Sequence, residues 1–253
     1  MLAAFPTALH LGPFTLHLYG IGLAVTVYVT FRYVAHRLSQ RGVDSSRWGA
    51  IAGATVIAAL LGARIAHVAT NWHYYSTFPS QIVALWGGGL SSFGGIALAT
   101  PVAIVLVRRT WPQHSLLTIA DIIVPALVAG WALGRLLGPQ FMVGGGGHLT
   151  TQWFGMTYEG QIGKRVPVPL IQAAEDALLW MGLLWTERRA PRGVVTGLAL
   201  LIWGVVRTLD ERWLLGEAGH IGSVSVQISG LVLAGIGLLI CIKAVRGNRA
   251  VKN

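Results

Sequence analysis

The sequence predicts an all-α, polytopic membrane protein with seven spanning helices, and three observations carry that prediction. Hydrophobic residues fill 54% of the 253 positions and charged residues only 11%, whereas a soluble domain of this length carries roughly a quarter charged residues. The apolar residues gather in runs of about 20, the number of helical residues needed to cross a hydrocarbon core about 30 Å thick. The basic residues stand between those runs, so the formal charge of +10 reads as a set of topology signals. It does not read as a nucleic-acid footprint, which needs a basic stripe on a soluble face. The period-2 alternation of a spanning β-barrel is absent.

The first run extends from Leu16 to Ala35 and the second from Trp48 to Ala69. The third covers Leu90 to Val107, the fourth Leu116 to Leu136 and the fifth Val168 to Trp185. The sixth, Val194 to Leu209, is the least apolar, because Arg207, Asp210 and Glu211 interrupt its far end. The seventh runs from Ile221 to Ile242. Residues 1–253 are expected to form one transmembrane domain. Its longest outer connection, 139–167, lies between spans four and five and contains Gly144 to Gly147 and Trp153-Phe154-Gly155, the composition of a cap over a site.

Arginines and lysines follow the first, third, fifth and last spans: Arg37, Arg41 and Arg47; Arg108 and Arg109; Arg188, Arg189 and Arg192; Lys243, Arg246, Arg249 and Lys252. Residues 69–89 contain none. An excess of positive charge marks the cytoplasmic side, so the N-terminus is expected outside and the C-terminus in the cytoplasm. The first basic residue is Arg32, too late for the charged start of a cleavable signal peptide. Span one is therefore expected to remain as a membrane helix. The 33 glycines are dense within the spans, where small residues let helix backbones approach closely.

The single cysteine, Cys241, excludes an internal disulfide and a thiolate metal cluster. His67 and His73 have no partner at metal-ligand spacing, and no HExxH signature exists. Neither a metal nor any other cofactor is expected. Ser91 and Ser92 lack the elbow motif of a serine hydrolase.

Charges inside a membrane are costly, and their default reading is functional. Arg64, Arg135 and Arg207 lie about 24, 28 and 21 Å from the cytoplasmic ends of their helices at about 1.5 Å per residue, all in the outer third of the core. His17 and Tyr19 enter from outside to a similar depth. Three guanidiniums at one level repel one another unless an anion sits among them, and their planar forks suit phosphate oxygens. The other reading is that each arginine snorkels to the headgroups or pairs with a carboxylate; for Arg207 the carboxylate is Glu211, four residues on. Asp121 is expected to contact a basic residue. Glu175 and Asp176 either pair with an arginine or face the interior. The cytoplasmic halves of the spans are almost free of polar residues, which disfavours a transporter with an aqueous route to both faces.

The local strings resemble those of the bacterial prolipoprotein diacylglyceryl transferases, from the N-terminal arm into the seventh span. Phe5-Pro6 and Leu16-His17-Leu18-Tyr19-Gly20 are similar to that family's opening arm and His-x-Tyr-Gly. Gly62-Ala63-Arg64-Ile65 resembles a second signature, and Trp86-Gly87-Gly88-Gly89-Leu90-Ser91-Ser92-Phe93-Gly94-Gly95 a third. Gly134-Arg135-Leu136 resembles the start of the signature arginine motif, Arg207-x-x-x-Glu211 the late arginine and glutamate, and Val226-Gln227-Ile228-Ser229 the start of the last helix.

The resemblance implies a multi-pass protein of the bacterial plasma (inner) membrane. It would transfer the diacylglyceryl group of phosphatidylglycerol to a cysteine thiol of a secreted prelipoprotein and release glycerol phosphate. The implied partners are phosphatidylglycerol, the prelipoprotein and the bilayer. Arg135 and Arg207 would hold the leaving phosphate as catalytic residues, while Tyr19, His17, Arg64, Ser91, Gly94, Gly95, Gln172 and Glu211 would bind substrate. The nucleophile belongs to the substrate, so Cys241 need not take part.

The chain departs from the family pattern at three places. Phe93 stands where Ser-Phe-His-Gly-Gly has the histidine expected to accept the thiol proton, and Gly138-Pro139-Gln140 replaces an Asn-bearing continuation. Aligned on His-Pro-x-Gln-Leu-x-Glu by its proline, the segment ending at Gln172 has Val166 at the histidine, Pro169 at the glutamine and Gln172 at the glutamate. A shifted alignment instead keeps Gln172 and Glu175. His148 is either a substitute base or a solvent-facing loop histidine. The alternative function is that of a repurposed paralogue that binds anionic phospholipid and a partner protein without turnover.

Overall fold

The structure, a computed structural model, describes residues 8–11, 14–84, 89–215 and 223–252. Phe5-Pro6, Trp86-Gly87-Gly88 and the first residues of the seventh predicted span lie outside the described residues. Among the described residues, seven long helices occupy the seven apolar runs: α1 (Leu18–Gln40), α2 (Trp48–Thr70), α4 (Ser92–Thr110), α5 (Leu116–Leu137), α7 (Val168–Thr186), α8 (Val194–Trp213) and α9 (Val224–Lys252). Two short helices, α3 (Trp72–Thr77) and α6 (Pro139–Met142), and a 3-10 turn at Pro79–Val83 lie in the connections. Five helices among the described residues are long and apolar enough to cross a membrane: α1, α2, α4, α5 and α9. The helices α7 and α8 fall short because they carry the charged residues Glu175, Asp176, Arg207, Asp210, Glu211 and Arg212.

One element departs from the all-α expectation. Strands β1 (Ala8–Leu11) and β2 (Phe14–His17) pair antiparallel, with Ala8 opposite His17 and Leu11 opposite Phe14. Two four-residue strands are too short for periodicity to reveal.

Backbone contacts group the chain into two compact units, one of residues 1–37 and 120–253, the other of residues 38–119. In the first, Val128 of α5, Leu179 and Leu183 of α7, and Val195 and Ala199 of α8 form a buried apolar cluster. Helices α8 and α9 meet along a line of glycines. A Cβ on Gly197 would lie 2.5 Å from Cys241 Sγ, and one on Gly204 2.7 Å from the Ala234 nitrogen. Without a hydrophobic drive in lipid, such close backbone approach supplies the packing energy. In the second unit, α2 and α4 cross with Gly62 against Gly94. Trp111, 1% exposed, donates its indole N–H to the Asp44 carbonyl at 2.9 Å.

Two polar contacts fasten helix ends in the first unit. Arg37 donates Nε to the Ile122 carbonyl at 2.7 Å and pairs with Glu187 at 2.5 Å. Asp121, expected to meet a basic residue, instead caps α8: its carboxylate accepts from the Gly193 and Thr196 amides at 2.5 and 2.8 Å and from the Thr196 hydroxyl at 2.6 Å. The first amides of a helix have no partner within it, and a carboxylate on α5 supplies one. Asp121→Ala is expected to destabilise the protein by about 1–2 kcal/mol, read as a lower thermal midpoint in detergent, with Asp121→Asn retaining part of the loss.

The connection between α6 and α7 is a folded segment. Gly144 bonds to Glu159, Gly147 to Val166, and Met156 and Arg165 exchange backbone bonds at 2.9 and 2.8 Å. Arg165 Nη1 donates to the Gly147 carbonyl at 2.9 Å. Tyr158 is 4% exposed, and burial pushes its hydroxyl up to about 12. His148 is half-buried and tied to one residue: its amide donates to the Leu214 carbonyl at 3.1 Å, and its Nδ1 lies 3.3 Å from the same oxygen.

Candidate functional site

Three helices of the first unit turn their charged residues to one place. On α7, Gln172, Glu175 and Asp176 follow an i, i+3, i+4 spacing, and on α8 Arg207, Asp210 and Glu211 repeat it, so each set forms one stripe. Arg135 comes from α5. Together with Trp131, Trp203 and Val206, Arg135, Gln172, Glu175, Asp176, Arg207 and Asp210 line a half-open hollow. Its volume is about 10 Å³, close to what one water molecule requires. A phospholipid headgroup is much larger, so its entry requires the surrounding side chains to part.

Own carboxylates balance the two arginines. Arg207 Nη2 lies 3.3 Å from Glu211 Oε2, while Glu211 Oε1 accepts from the Ser223 amide at 2.8 Å. Asp176 and Asp210 act electrostatically on Arg135, whose guanidinium also stands 5.6 Å from the centre of the Trp131 ring. The Trp131 and Trp203 rings meet edge to face at 5.6 Å. Asp176, 6% exposed, accepts from the Trp203 side chain. Gln172, 4% exposed, donates Nε2 to Asp210 Oδ2 at 2.7 Å. Glu175 and Asp210 border the same hollow and act electrostatically on each other. Among the described residues, Arg207 Nη1 and Glu175 Oε2 are buried with no hydrogen-bond partner. A buried polar atom left unpaired costs about 1–3 kcal/mol, and here two of opposite charge border one hollow.

Arg64 sits in the second unit and is engaged there. It donates Nε to the Ile82 carbonyl at 2.8 Å, Nη1 to Gly89 at 2.9 Å, and Nη2 to Gln81 and Ala84, the latter at 3.2 Å. Its guanidinium lies 5.2 Å from the centre of the Tyr75 ring. Gly89, with φ +75°, lets the backbone come this close, for a Cβ would stand 2.6 Å from His67 Nε2. Arg64 thus ties down the segment after α2. Lysine keeps the charge but not the fork, so Arg64→Lys is expected to raise hydrogen exchange of the amides at 81–84 by about tenfold, the equivalent of roughly 1.4 kcal/mol.

Gly94 and Gly95 also have packing roles. A Cβ on Gly94 would strike the Gly62 carbonyl and the Ala66 side chain, and one on Gly95 would lie 3.1 Å from the Ala59 carbonyl. Ser91 donates its amide to the Ala63 carbonyl at 3.0 Å, starting α4 beside α2. Phe93 is half exposed on α4 and carries no proton acceptor. In the first unit, the His17 and Tyr19 rings meet at a tilt of 46° with centres 5.2 Å apart.

The residues expected to bind substrate therefore divide. Arg135, Arg207 and Gln172 share one hollow, with Glu211 bonded to Arg207; Arg64, Ser91, Gly94 and Gly95 belong to the α2–α4 unit. Asp210, Trp131 and Trp203 were not expected in a site, and Glu175 and Asp176 were left open. The signal that finds the carboxylates is the doubled i, i+3, i+4 stripe.

A family model described as prolipoprotein diacylglyceryl transferase matches residues 6–243. The chain belongs to this family. Among relatives within the prolipoprotein diacylglyceryl transferases, the phosphatidylglycerol–prolipoprotein diacylglyceryl transferase of Thermosynechococcus vestitus is 28% identical across 94% of this chain and 92% of its own length. The protein of that name from Nitrosomonas europaea is 28% identical across 92% of this chain and 88% of its own. That from Synechococcus elongatus is 32% identical over a shorter match, 51% of this chain and 44% of the relative.

Proposed function

We infer that this chain transfers the diacylglyceryl group of phosphatidylglycerol to the cysteine thiol of a prelipoprotein. The reading rests on one observation: the family match runs from the N-terminal arm into α9 and so takes in every helix that lines the charged hollow. In this reading the protein crosses the bacterial inner membrane seven times as a single domain, with its N-terminus outside, and the hollow opens in the outer leaflet.

The chemistry sets what the residues do. The substrate sulfur attacks the terminal glyceryl carbon, a carbon–sulfur bond forms, and the carbon–oxygen bond to phosphate breaks. The phosphate turns from a singly charged diester into a monoester, so charge grows on its oxygens in the transition state. Donors fixed in a water-poor site stabilise such charge more than water does. Arg135 and Arg207 are the cations that line the hollow, and the phosphate would displace Asp176, Asp210 or Glu211 from them. Tyr19 and His17 would border the donor headgroup. Arg64, Ser91, Gly94 and Gly95 support substrate binding through the backbone they hold in place.

The test incubates the purified protein in detergent with headgroup-labelled phosphatidylglycerol and a peptide bearing a lipoprotein cysteine motif. Lipidated peptide and soluble glycerol phosphate are expected in equal amounts. Phospholipid that copurifies while neither product forms would instead support a binding protein without turnover.

A further inference from the structure

The sulfur needs a proton acceptor, and Phe93 cannot be one. We propose that in this chain the carboxyl groups of Glu175 and Asp210, which border one hollow, accept the proton of the acceptor thiol, an inference that rests on the transferase reading above. Two carboxylates that border one hollow disfavour each other's charge, so the pair gains by taking up a proton.

Placement supports the role. Glu175 and Asp210 border the hollow that Arg135 and Arg207 line, so a base stands beside the groups expected to hold the leaving phosphate. Asp210 is 5% exposed, and the Gln172 amide holds its Oδ2 at 2.7 Å. Glu175 Oε2 has no partner among the described residues and is left to receive a donor. The charged groups facing the pair are Arg135 from α5, Asp176 from α7 itself and Arg207 from α8, the last shared with Glu211. On α7 the family's glutamate position holds Gln172 in the proline-anchored alignment, and the amide there bonds a carboxylate supplied by α8.

Charge accounting favours the pair as well. The pair and Asp176 stand opposite the guanidiniums of Arg135 and Arg207. During transfer the phosphate gains one negative charge and the pair, on taking the thiol proton, loses one. The total inside the hollow stays constant while the carbon–sulfur bond forms and the carbon–oxygen bond breaks. The proton then leaves with the phosphate monoester, whose second ionisation lies near pH 6, or to water.

Glu175→Gln and Asp210→Asn, assayed with a thiol peptide and with the same peptide carrying selenocysteine, test this. With the thiol, each variant is expected to fall about 100- to 1,000-fold in kcat, with a rate that climbs about tenfold per pH unit until near the thiol pKa of about 8.5. With the selenol, which is ionised at neutral pH, both are expected to return to within about tenfold of the unaltered protein, whereas Arg135→Lys is not. Unchanged variants, or a loss that the selenol leaves in place in protein that elutes as a single species, overturn the proposal. The unaltered protein supplies a check that no variant's folding can disturb: its rate should level off well below pH 8.5, and a rate that tracks thiolate up to that pH also overturns it. No product from either peptide means that the transferase reading itself has failed.

Discussion

Arg135→Lys is expected to lower turnover about 100- to 1,000-fold, equivalent to about 2.7–4 kcal/mol of lost transition-state stabilisation, while the protein stays folded. Lysine preserves the positive charge opposite Asp176 and Asp210, so the buried carboxylates remain compensated. It loses the planar fork that grips two phosphate oxygens and the stacking against Trp131. Because that fork matters most when charge grows on the phosphate, the fall belongs in kcat more than in KM. Arg207→Lys is expected to cost less, about 10- to 100-fold, because Arg207 already shares its guanidinium with Glu211. Release of labelled glycerol phosphate under saturating lipid measures both. Equal activity of Arg135→Lys and the unaltered protein would remove Arg135 from the chemistry.

Gly94→Val is expected to destabilise the second unit by at least about 2 kcal/mol. The new side chain would have to occupy the space of the Gly62 backbone and the Ala66 methyl, and backbone cannot give way as the tip of a flexible side chain can. Protein that survives should show a lower thermal midpoint, with activity lost in proportion to the unfolded fraction. The family resemblance assigns Gly94 to the substrate, and a stable, inactive Gly94→Val would favour that role over packing. Gly22 makes a comparable demand in the first unit, since a Cβ there would fall on the Leu137 carbonyl.

The seven long helices were legible because hydropathy and helix length speak about the same residues. Their ends were less so. The first apolar run stops at Ala35, but α1 continues to Gln40 and the chain turns at Gly42, with φ +71°; hydropathy marks where lipid ends, whereas the backbone ladder continues through His36, Arg37 and Arg41's neighbourhood until a residue that tolerates a left-handed turn. The far end of α8 was obscured for the opposite reason. Arg207, Asp210 and Glu211 look unfit for a span one by one, yet each meets a partner from its own helix, from α7 or from Ser223 just before α9. Depth along each helix could be counted, and it placed Arg135 and Arg207 at one level. Rotation about the helix axes could not, so Glu211 was assigned to Arg207 by its spacing, while Asp176 and Asp210, which act on Arg135, were left unassigned.

The polarity of α7 and α8 bears on how the protein is made. A segment that holds Arg207, Asp210 and Glu211 gains little by entering lipid alone, since unpaired charges inside the hydrocarbon are costly. Its neighbours arrive at different times: α5 and α7 precede it on the ribosome, while α9 follows with the glycine face that α8 packs against. In the seven-span reading, newly synthesised α8 is therefore expected to wait beside the translocon, or to leave it already joined to α7 and Arg135, before it settles in the bilayer.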